Sequence, residues 1–505
     1  MPRDEQPDYR HLLQVPSLAD VTEPVVVTLT VPADTARHVA TQRIAWMLVT
    51  LLSRSTVHIV KRIVIDCPPD VVLHRLVTPH PASDGSLLST LIETRAHGGP
   101  DAVDILTSTD PGCLDPATGP HLTYVINPSE VDAGLGHSAW AVVASAWAGE
   151  VTTRQPRLVP DPKAMTPFGA YIAACLAAAQ VFLTARAHAY EPEPVVLDAW
   201  QWAIGSERFI EPNPVSIEID SVLAGVGAVG SACLLALWAT EEVTGYVKAV
   251  DADERGIDIT NLNRCLPFTV DDVGKPKAAT AAAALSRAGF VIAPEFGLGE
   301  TYVDRDTHLI SAVDTPEARQ ALQDRYPASA VQASTRDLRL EVLRVDPTSE
   351  SACLRCYNPP TETVPDDTLR GAAAAASEGE LQEHADHLGV SVEAIEEWTK
   401  TGVCGELGDA MLTRLRASTG SRAEFSVGFM SVLAGALLAV RVVADSIARS
   451  NRANNTSTQP METRFVLTLL DPTAITNGRR PYPRDPNCPC CSPLRRTSWL
   501  STFVG

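Results

Sequence analysis

Residues 219–238, IDSVLAGVGAVGSACLLALW, set an apolar strand against an apolar helix with a glycine-rich turn between them. Gly225, Gly227 and Gly230 form G-x-G-x-x-G, the turn of a nucleotide-binding α/β unit. The first two permit a tight turn and close backbone approach to a phosphate, and the third lets the helix pack on its strand. The helix start adds free N–H groups and a partial positive charge. Asp251 ends the following strand, GYVKAVDAD, where a carboxylate can bond ribose hydroxyls. The turn alone does not choose among NAD, FAD, S-adenosylmethionine and ATP.

Later runs extend the unit. THLISAVDT (307–315) and SAVQAST (329–335) read as further strands, so strands alternate with helices around a parallel sheet. The first half keeps the same rhythm. EPVVVTLTVPADTARHVATQRIAWMLVTLL aligns with residues 221 onward, VHIVKRIVIDCPP parallels TGYVKAVDADE, and HLTYVINPSEVD parallels THLISAVDTPEA. The helix PFGAYIAACLAAAQVFLTARAH parallels SVGFMSVLAGALLAVRVVADS. The chain therefore reads as α/β, with two tandem Rossmann-like doubly wound units, residues 1–212 and 213–505. The first glycine is Gly85, so the early turn TLTVPADTAR has no glycine-lined cradle and the first unit reads as an inactive scaffold.

A formal charge of −20 over 505 residues excludes the lysine- and arginine-rich surface of a nucleic-acid binder. Acids and prolines fill the N-terminal stretch MPRDEQPDYRHLLQVPSLAD, where a signal peptide would be apolar, and the long alanine-rich runs read as buried helices rather than membrane spans. A cytoplasmic chain is expected.

The stretch ITNLNRCLPFTVDDVGKPKAA (259–279) narrows the nucleotide. Hydride transfer mainly needs a positioned nicotinamide. Attack of a carboxylate on an α-phosphate brings two anions together and expels pyrophosphate, a transition state served by arginine, lysine and a metal-binding acid. The order GVGAVG, VDAD, NLNR, VGKPKA, SAVDTPEAR resembles the signature of the ThiF/MoeB/ubiquitin-activating superfamily, which adenylates a C-terminal carboxylate.

The resemblance implies roles for particular residues. Asp251 and Asp253 match the family's D-x-D, with Asp251 as the ribose-binding acid. Asn261 and Arg264 match N-x-x-R, Lys277 follows Arg264 by thirteen residues, and Asp314 matches the acid that positions Mg-ATP. ATP and Mg2+ are thus the implied cofactors, with Arg264, Lys277 and Asp314 catalytic. Arg319 is a structural or secondary contact. Two departures stand out. Cys265 replaces the usual glutamine, and the D-x-D to N-x-x-R spacing is about two residues longer than the family pattern.

CLRC (353–356) and CPCC (488–491) form two C-x-x-C pairs through Cys353, Cys356, Cys488 and Cys491. Four thiolates suit a closed, structural zinc site, leaving Cys490 spare. Between them a helical insertion at about 357–424 ends in TGVCGELGD, with Cys404 on a glycine-flanked turn before a helix. A cysteine so placed can act as a thiolate nucleophile. In relatives that form a thioester, the reactive cysteine lies in this interval.

The implied substrate is a ubiquitin-like protein or peptide ending in glycine, with a conjugating enzyme as an optional partner. The implied assembly is an internal pseudo-dimer open to homo-oligomerisation. Arg10 in PDYRHLL resembles the segment from which one unit reaches the other's ATP. The rival readings are adenylation of a short peptide or natural-product carboxylate, activation of a sulfur carrier, a non-catalytic nucleotide-sensing scaffold, and an NAD-dependent oxidoreductase.

Overall fold

The computed structural model describes residues 23–500 except 100–101, 112, 114–118, 130–138, 163–164, 188–189, 211, 213–215, 337, 348–351, 359–365, 402–410, 412–426, 454–462 and 481. Cys404 and Arg10 lie outside the described residues.

Among the described residues sixteen strands form two sheets of eight. The first contains β1 (Val25–Thr30), β2 (Val60–Asp66), β3 (Ile105–Thr107), β4 (His121–Ile126), β5 (Ala139–Ala144), β6 (Ala148–Thr152), β7 (Val195–Asp198) and β8 (Ala203–Ile204). The second contains β9 (Ile217–Ala224), β10 (Val243–Asp251), β11 (Phe290–Phe296), β12 (His308–Ser311), β13 (Ser329–Arg336), β14 (Arg339–Val345), β15 (Arg464–Thr468) and β16 (Gly478–Arg479). Their orders are β3-β2-β1-β4-β5-β6-β7-β8 and β11-β10-β9-β12-β13-β14-β15-β16. The second is the first with every index raised by eight. Pair directions agree as well: five strands run parallel, then three continue antiparallel in each sheet. The paired stretches expected from the sequence are the equivalent elements. The antiparallel extension goes beyond the parallel sheet read there.

Helices cover both sheets. Val39–Ser53 and Phe168–Arg186 pack on each other, and Gly428–Ala453 packs on both Phe168–Arg186 and Ala228–Trp238. Two of these, Phe168–Arg186 and Gly428–Ser450 within the longer helix, are long and apolar enough to cross a membrane, and nearly all of each is buried in the protein. Their apolar surface therefore has a partner already, and each buried Leu, Val or Phe contributes about 1.5–3 kcal/mol. Gly435 sets the distance: a Cβ there would stand 2.6 Å from Ala232 Cβ and 2.7 Å from Val229 O. One continuous core runs through both halves, from Val25 and Leu48 to Leu437 and Phe465. Phe182 meets Phe429 with ring centroids 5.4 Å apart, and Trp202 meets Phe465 at 5.7 Å.

Residues 359–425 form a separate compact unit. Its helices Asp366–Ala374, Glu378–Leu388 and Val392–Thr401 enclose a small core of Ala373, Leu381, Ala385, Ile395, Trp398 and Met411. Ser377 and Glu380 close a capping box at the start of the second helix, and Gly389 ends it in the left-handed conformation at φ 65°.

Candidate nucleotide and metal sites

The glycine turn joins β9 to the helix Ala228–Trp238, and each glycine has a separate geometric reason. Gly225 has φ 90°, and a Cβ on it would stand 2.7 Å from the carbonyl oxygen of Ala312, just past the strand beside it. A Cβ on Gly230 would lie 2.0 Å from Gly225 O, so only glycine lets the helix close on the turn. Gly227 differs: it caps the helix in an extended conformation, and nothing lies within 4 Å of where its Cβ would be. Gly227 is the N-cap, so that open space adjoins the start of the helix, where free N–H groups suit a phosphate.

Asp251 ends β10 and ties the turn down. Its Oδ2 accepts from Val226 N at 2.7 Å, and its Oδ1 accepts from Asp253 N at 2.9 Å. A carboxylate has about four acceptor sites, so both oxygens retain capacity for a hydroxyl.

The backbone then brings distant residues together. Ile257 N donates to Lys275 O at 2.9 Å, and Gly274 N donates to Ile257 O at 2.7 Å. This stitch lays the GKPK segment beside the D-x-D segment. Lys277, first residue of the helix Lys277–Leu285, thereby reaches Asp253, with Nζ 2.5 Å from Oδ2 and only 11% of its side chain exposed. Burial pushes the Asp253 carboxyl up, but the hydrogen bond and charge of Lys277, helped by Arg255, hold it below its ordinary value.

The N-x-x-R segment is a capped 3-10 turn, Ile259–Asn261. Asp258 Oδ1 accepts from Thr260 N at 2.8 Å, and Asn261 Oδ1 accepts from Asp258 N at 3.1 Å. Arg264 donates from Nη1 to Thr260 O at 2.8 Å and to Asn263 Oδ1 at 3.0 Å, which curls the guanidinium over its own turn. Cys265 is buried behind it. Burial pushes its thiol up, against the pull of the Arg264 and Lys277 charges. Gly428 lets the long helix approach from below, since a Cβ there would stand 2.5 Å from Asn263 O.

Asp314 is exposed just past β12, and Ala312 N between them donates to Ala224 O at 2.9 Å at the root of the glycine turn. Arg319 braces the same loop, donating to Val313 O at 3.0 Å and to Asn358 Oδ1 at 2.9 Å. Gly225, Gly227, Gly230, Asp251, Asp253, Asn261, Arg264, Lys277 and Asp314 thus lie in or near the segments that follow the carboxyl ends of β9, β10 and β12. Open α/β sheets bind ligands at that edge.

Two side chains that the sequence reading missed also reach this edge, both from the first half. Arg54 donates to the carbonyls of Leu262 and Cys265, and His80 lies 2.8 Å from Pro267 O. The one sequence signal is that Arg54 directly follows the apolar run AWMLVTLL at the end of its helix.

The four cysteines of the two C-x-x-C pairs converge, with all Sγ atoms within 4.8 Å of one another. Neighbouring sulfurs are 3.7 Å (Cys353–Cys356), 3.7 Å (Cys353–Cys488) and 3.5 Å (Cys356–Cys491) apart. Tetrahedral zinc with Zn–S bonds of about 2.3 Å needs sulfurs roughly 3.8 Å apart, so the donor set fits that ion. Cys490 is not a loose spare: it is fully buried, with Sγ 3.2 Å from Asp324 Oδ1.

A family model described as the ThiF family matches residues 218–490. Among solved structures, E. coli MccB with succinimide is 14% identical, with 55% of this chain and 68% of that chain covered and a TM-score of 0.34. E. coli MccB with ATP has the same identity and coverage and a TM-score of 0.33. The microcin C7 biosynthetic enzyme MccB in complex with N-formylated MccA gives 14%, 55%, 68% and 0.34. No curated protein sequence matches the chain.

Proposed function

The chain belongs to the ThiF family, and from that premise we propose that it uses ATP to adenylate the C-terminal carboxylate of a polypeptide, either a ubiquitin-like protein ending in glycine or a shorter peptide. The observation that carries this reading is the cationic pair behind the glycine turn. Lys277 is held beside Asp253, and Arg264 is curled on the adjoining loop.

In the proposed reaction a carboxylate oxygen of the substrate attacks the α-phosphorus. The bond from that phosphorus to the bridging oxygen breaks, pyrophosphate leaves with the electron pair, and an acyl-adenylate remains. The N–H groups at the start of Ala228–Trp238 hold phosphate oxygens in the space that Gly227 leaves open. Asp251 accepts from the ribose hydroxyls. Arg264 and Lys277 stabilise the negative charge that builds on the phosphoryl oxygens. Asn261, whose side chain caps its own turn, keeps Arg264 in register. Asp314, an exposed carboxylate, suits Mg2+, which when bound would neutralise phosphate charge. Cys353, Cys356, Cys488 and Cys491 would hold structural zinc with no position open for chemistry.

Residues 1–212, without a glycine turn, serve as scaffold for the active half at 213–505. Cys404 is proposed as the acceptor that displaces AMP and forms a thioester, and Cys404→Ala is expected to abolish a thiol-labile adduct while sparing adenylation.

ATP–pyrophosphate exchange with a panel of polypeptides ending in glycine tests the reading. Exchange that requires both the carrier's free carboxylate and Lys277 is expected. Exchange unchanged in Lys277→Ala, or nicotinamide cofactor binding in place of ATP, would contradict it.

A further inference from the structure

Arg54 ends the helix Val39–Ser53 in the first half, with 4% of its surface exposed. Its Nη1 donates across to Leu262 O at 3.1 Å and Cys265 O at 3.4 Å, the two carbonyls that bracket Asn263 and Arg264. Among the described residues its Nε is buried with no partner, and the bonds its guanidinium makes end on the second half. Burial lowers its pKa to about 10, which still leaves it a cation at neutral pH.

Its path is prepared. Gly98 leaves room for the stem, since a Cβ there would stand 3.1 Å from Arg54 Cγ. A second side chain of the first half reaches the next turn of the same loop: His80 Nε2 lies 2.8 Å from Pro267 O. A carbonyl only accepts, so Nε2 carries the proton in that bond. His97 packs against His80, with ring centroids 5.3 Å apart.

A buried cation carries a desolvation cost that only well-placed hydrogen bonds offset. The described structure gives Arg54 two such bonds, and both end on the loop that carries Arg264. We propose that Arg54, backed by His80, is a positioning residue by which the first half fixes the backbone of the N-x-x-R loop and so aims Arg264 at the nucleotide. The kinetic consequence rests on the adenylation reading; the structural consequence does not. This role differs from that of a residue reaching the nucleotide directly, because the bonds end on backbone.

The test uses the full chain with Arg54→Met and Arg54→Lys. Both of the bonds come from one nitrogen; a lysine ammonium keeps the charge and a donor that ends one bond short of it, while methionine keeps neither. Amide hydrogen exchange over residues 259–268 reads the positioning without activity. The Arg264 and Cys265 amides, which bond Asn261 O at 3.1 and 2.8 Å, are expected to exchange faster in Arg54→Met and near wild type in Arg54→Lys. In ATP–pyrophosphate exchange, Arg54→Met is expected to lower kcat by about 10²-fold, the scale of a 1 Å misplacement. KM for ATP should stay within about twofold, because the glycine turn is untouched. Lysine is expected to restore most of kcat. Unchanged amide exchange in Arg54→Met would overturn the proposal, as would a lysine variant as defective as methionine in both assays. A wild-type chain with no pyrophosphate exchange on any carrier would refute the adenylation reading alone, leaving amide exchange to decide on Arg54.

Discussion

The two halves build the same sheet and spend the same corner of it differently. In the second half the third residue of the helix after the first strand is Gly230, pressed so close to Gly225 O that no side chain fits. In the first half the third residue of the matching helix is Thr41, which is buried and accepts from Asn127 Nδ2 at 3.1 Å. Asn127 Oδ1 in turn accepts from Ala144 N at 2.9 Å. The next residue, Gln42, donates to Ala36 O and Val72 O at 3.1 and 3.0 Å and accepts from His74 N. Polar side chains of the protein occupy the first corner, whereas the second keeps open space at Gly227. The same topology can therefore hold a ligand or hold itself, according to a few residues at one strand end.

Several substitutions would break or sharpen that contrast. Arg264→Ala is expected to lower ATP–pyrophosphate exchange by about 10²- to 10³-fold. Asp66→Ala, at the end of β2 that matches Asp251 on β10, should leave the exchange rate at its wild-type value. Equal losses from both would mean that the halves share the chemistry.

Metal should likewise belong to one half. Cys353→Ser is expected to release one zinc ion per chain and to cost roughly 3 kcal/mol of stability, read by metal analysis and urea unfolding. Zinc retained at full occupancy would remove the cysteine cluster from the account.

Gly230→Ala forces a Cβ onto a backbone carbonyl and is expected to cost about 1–3 kcal/mol. Thr41→Ala leaves a buried amide donor unpaired and is expected to cost about 1 kcal/mol. Only the glycine variant should lose nucleotide; both are followed by urea unfolding and ATP titration.

The smallest effect concerns pH. Burial first, then His80 and the Arg54 charge, lower His97 from 6.5 to about 4. Between those values the unfolded imidazole takes up a proton that the folded one refuses, so stability falls as pH drops from 6.5 towards 4. His97→Gln should flatten this slope by less than about 1 kcal/mol, since the ring is partly screened by solvent. Thermal melts at pH 7 and pH 5 measure the difference.

The sequence marked the residues of the candidate site, three strands of the first sheet and four of the second. Gly225, Gly227, Gly230, Asp251, Asn261, Arg264 and Lys277 were readable because a phosphate cradle and a charged transition state demand particular residue types in one chain order. The antiparallel strands were not, nor were the parallel strands β3, β5 and β11. AWAVVASAWAGEVT contains both β5 and β6, and its tight turn at Ala146 and Trp147 has neither glycine nor proline to mark it. Glu150 hides β6 further: a buried carboxylate in a strand reads as surface, but its Oε2 is occupied by Arg157 N and Leu158 N. Arg54 and His80 could not be assigned at all. Their partners lie 208 and 187 residues away, and only the packing of one half on the other brings them together.

The most direct test is the stoichiometry of ATP binding to the intact chain and to Gly227→Val. A valine side chain at 227 would enter space in which no protein atom lies within 4 Å of its Cβ, so it should block the ligand without disturbing the fold. One ATP per wild-type chain and none for the variant, at an unchanged melting temperature, is the expected result. Two ATP per wild-type chain, or one still bound to Gly227→Val, would contradict the division of the molecule into one nucleotide-binding half and one scaffold.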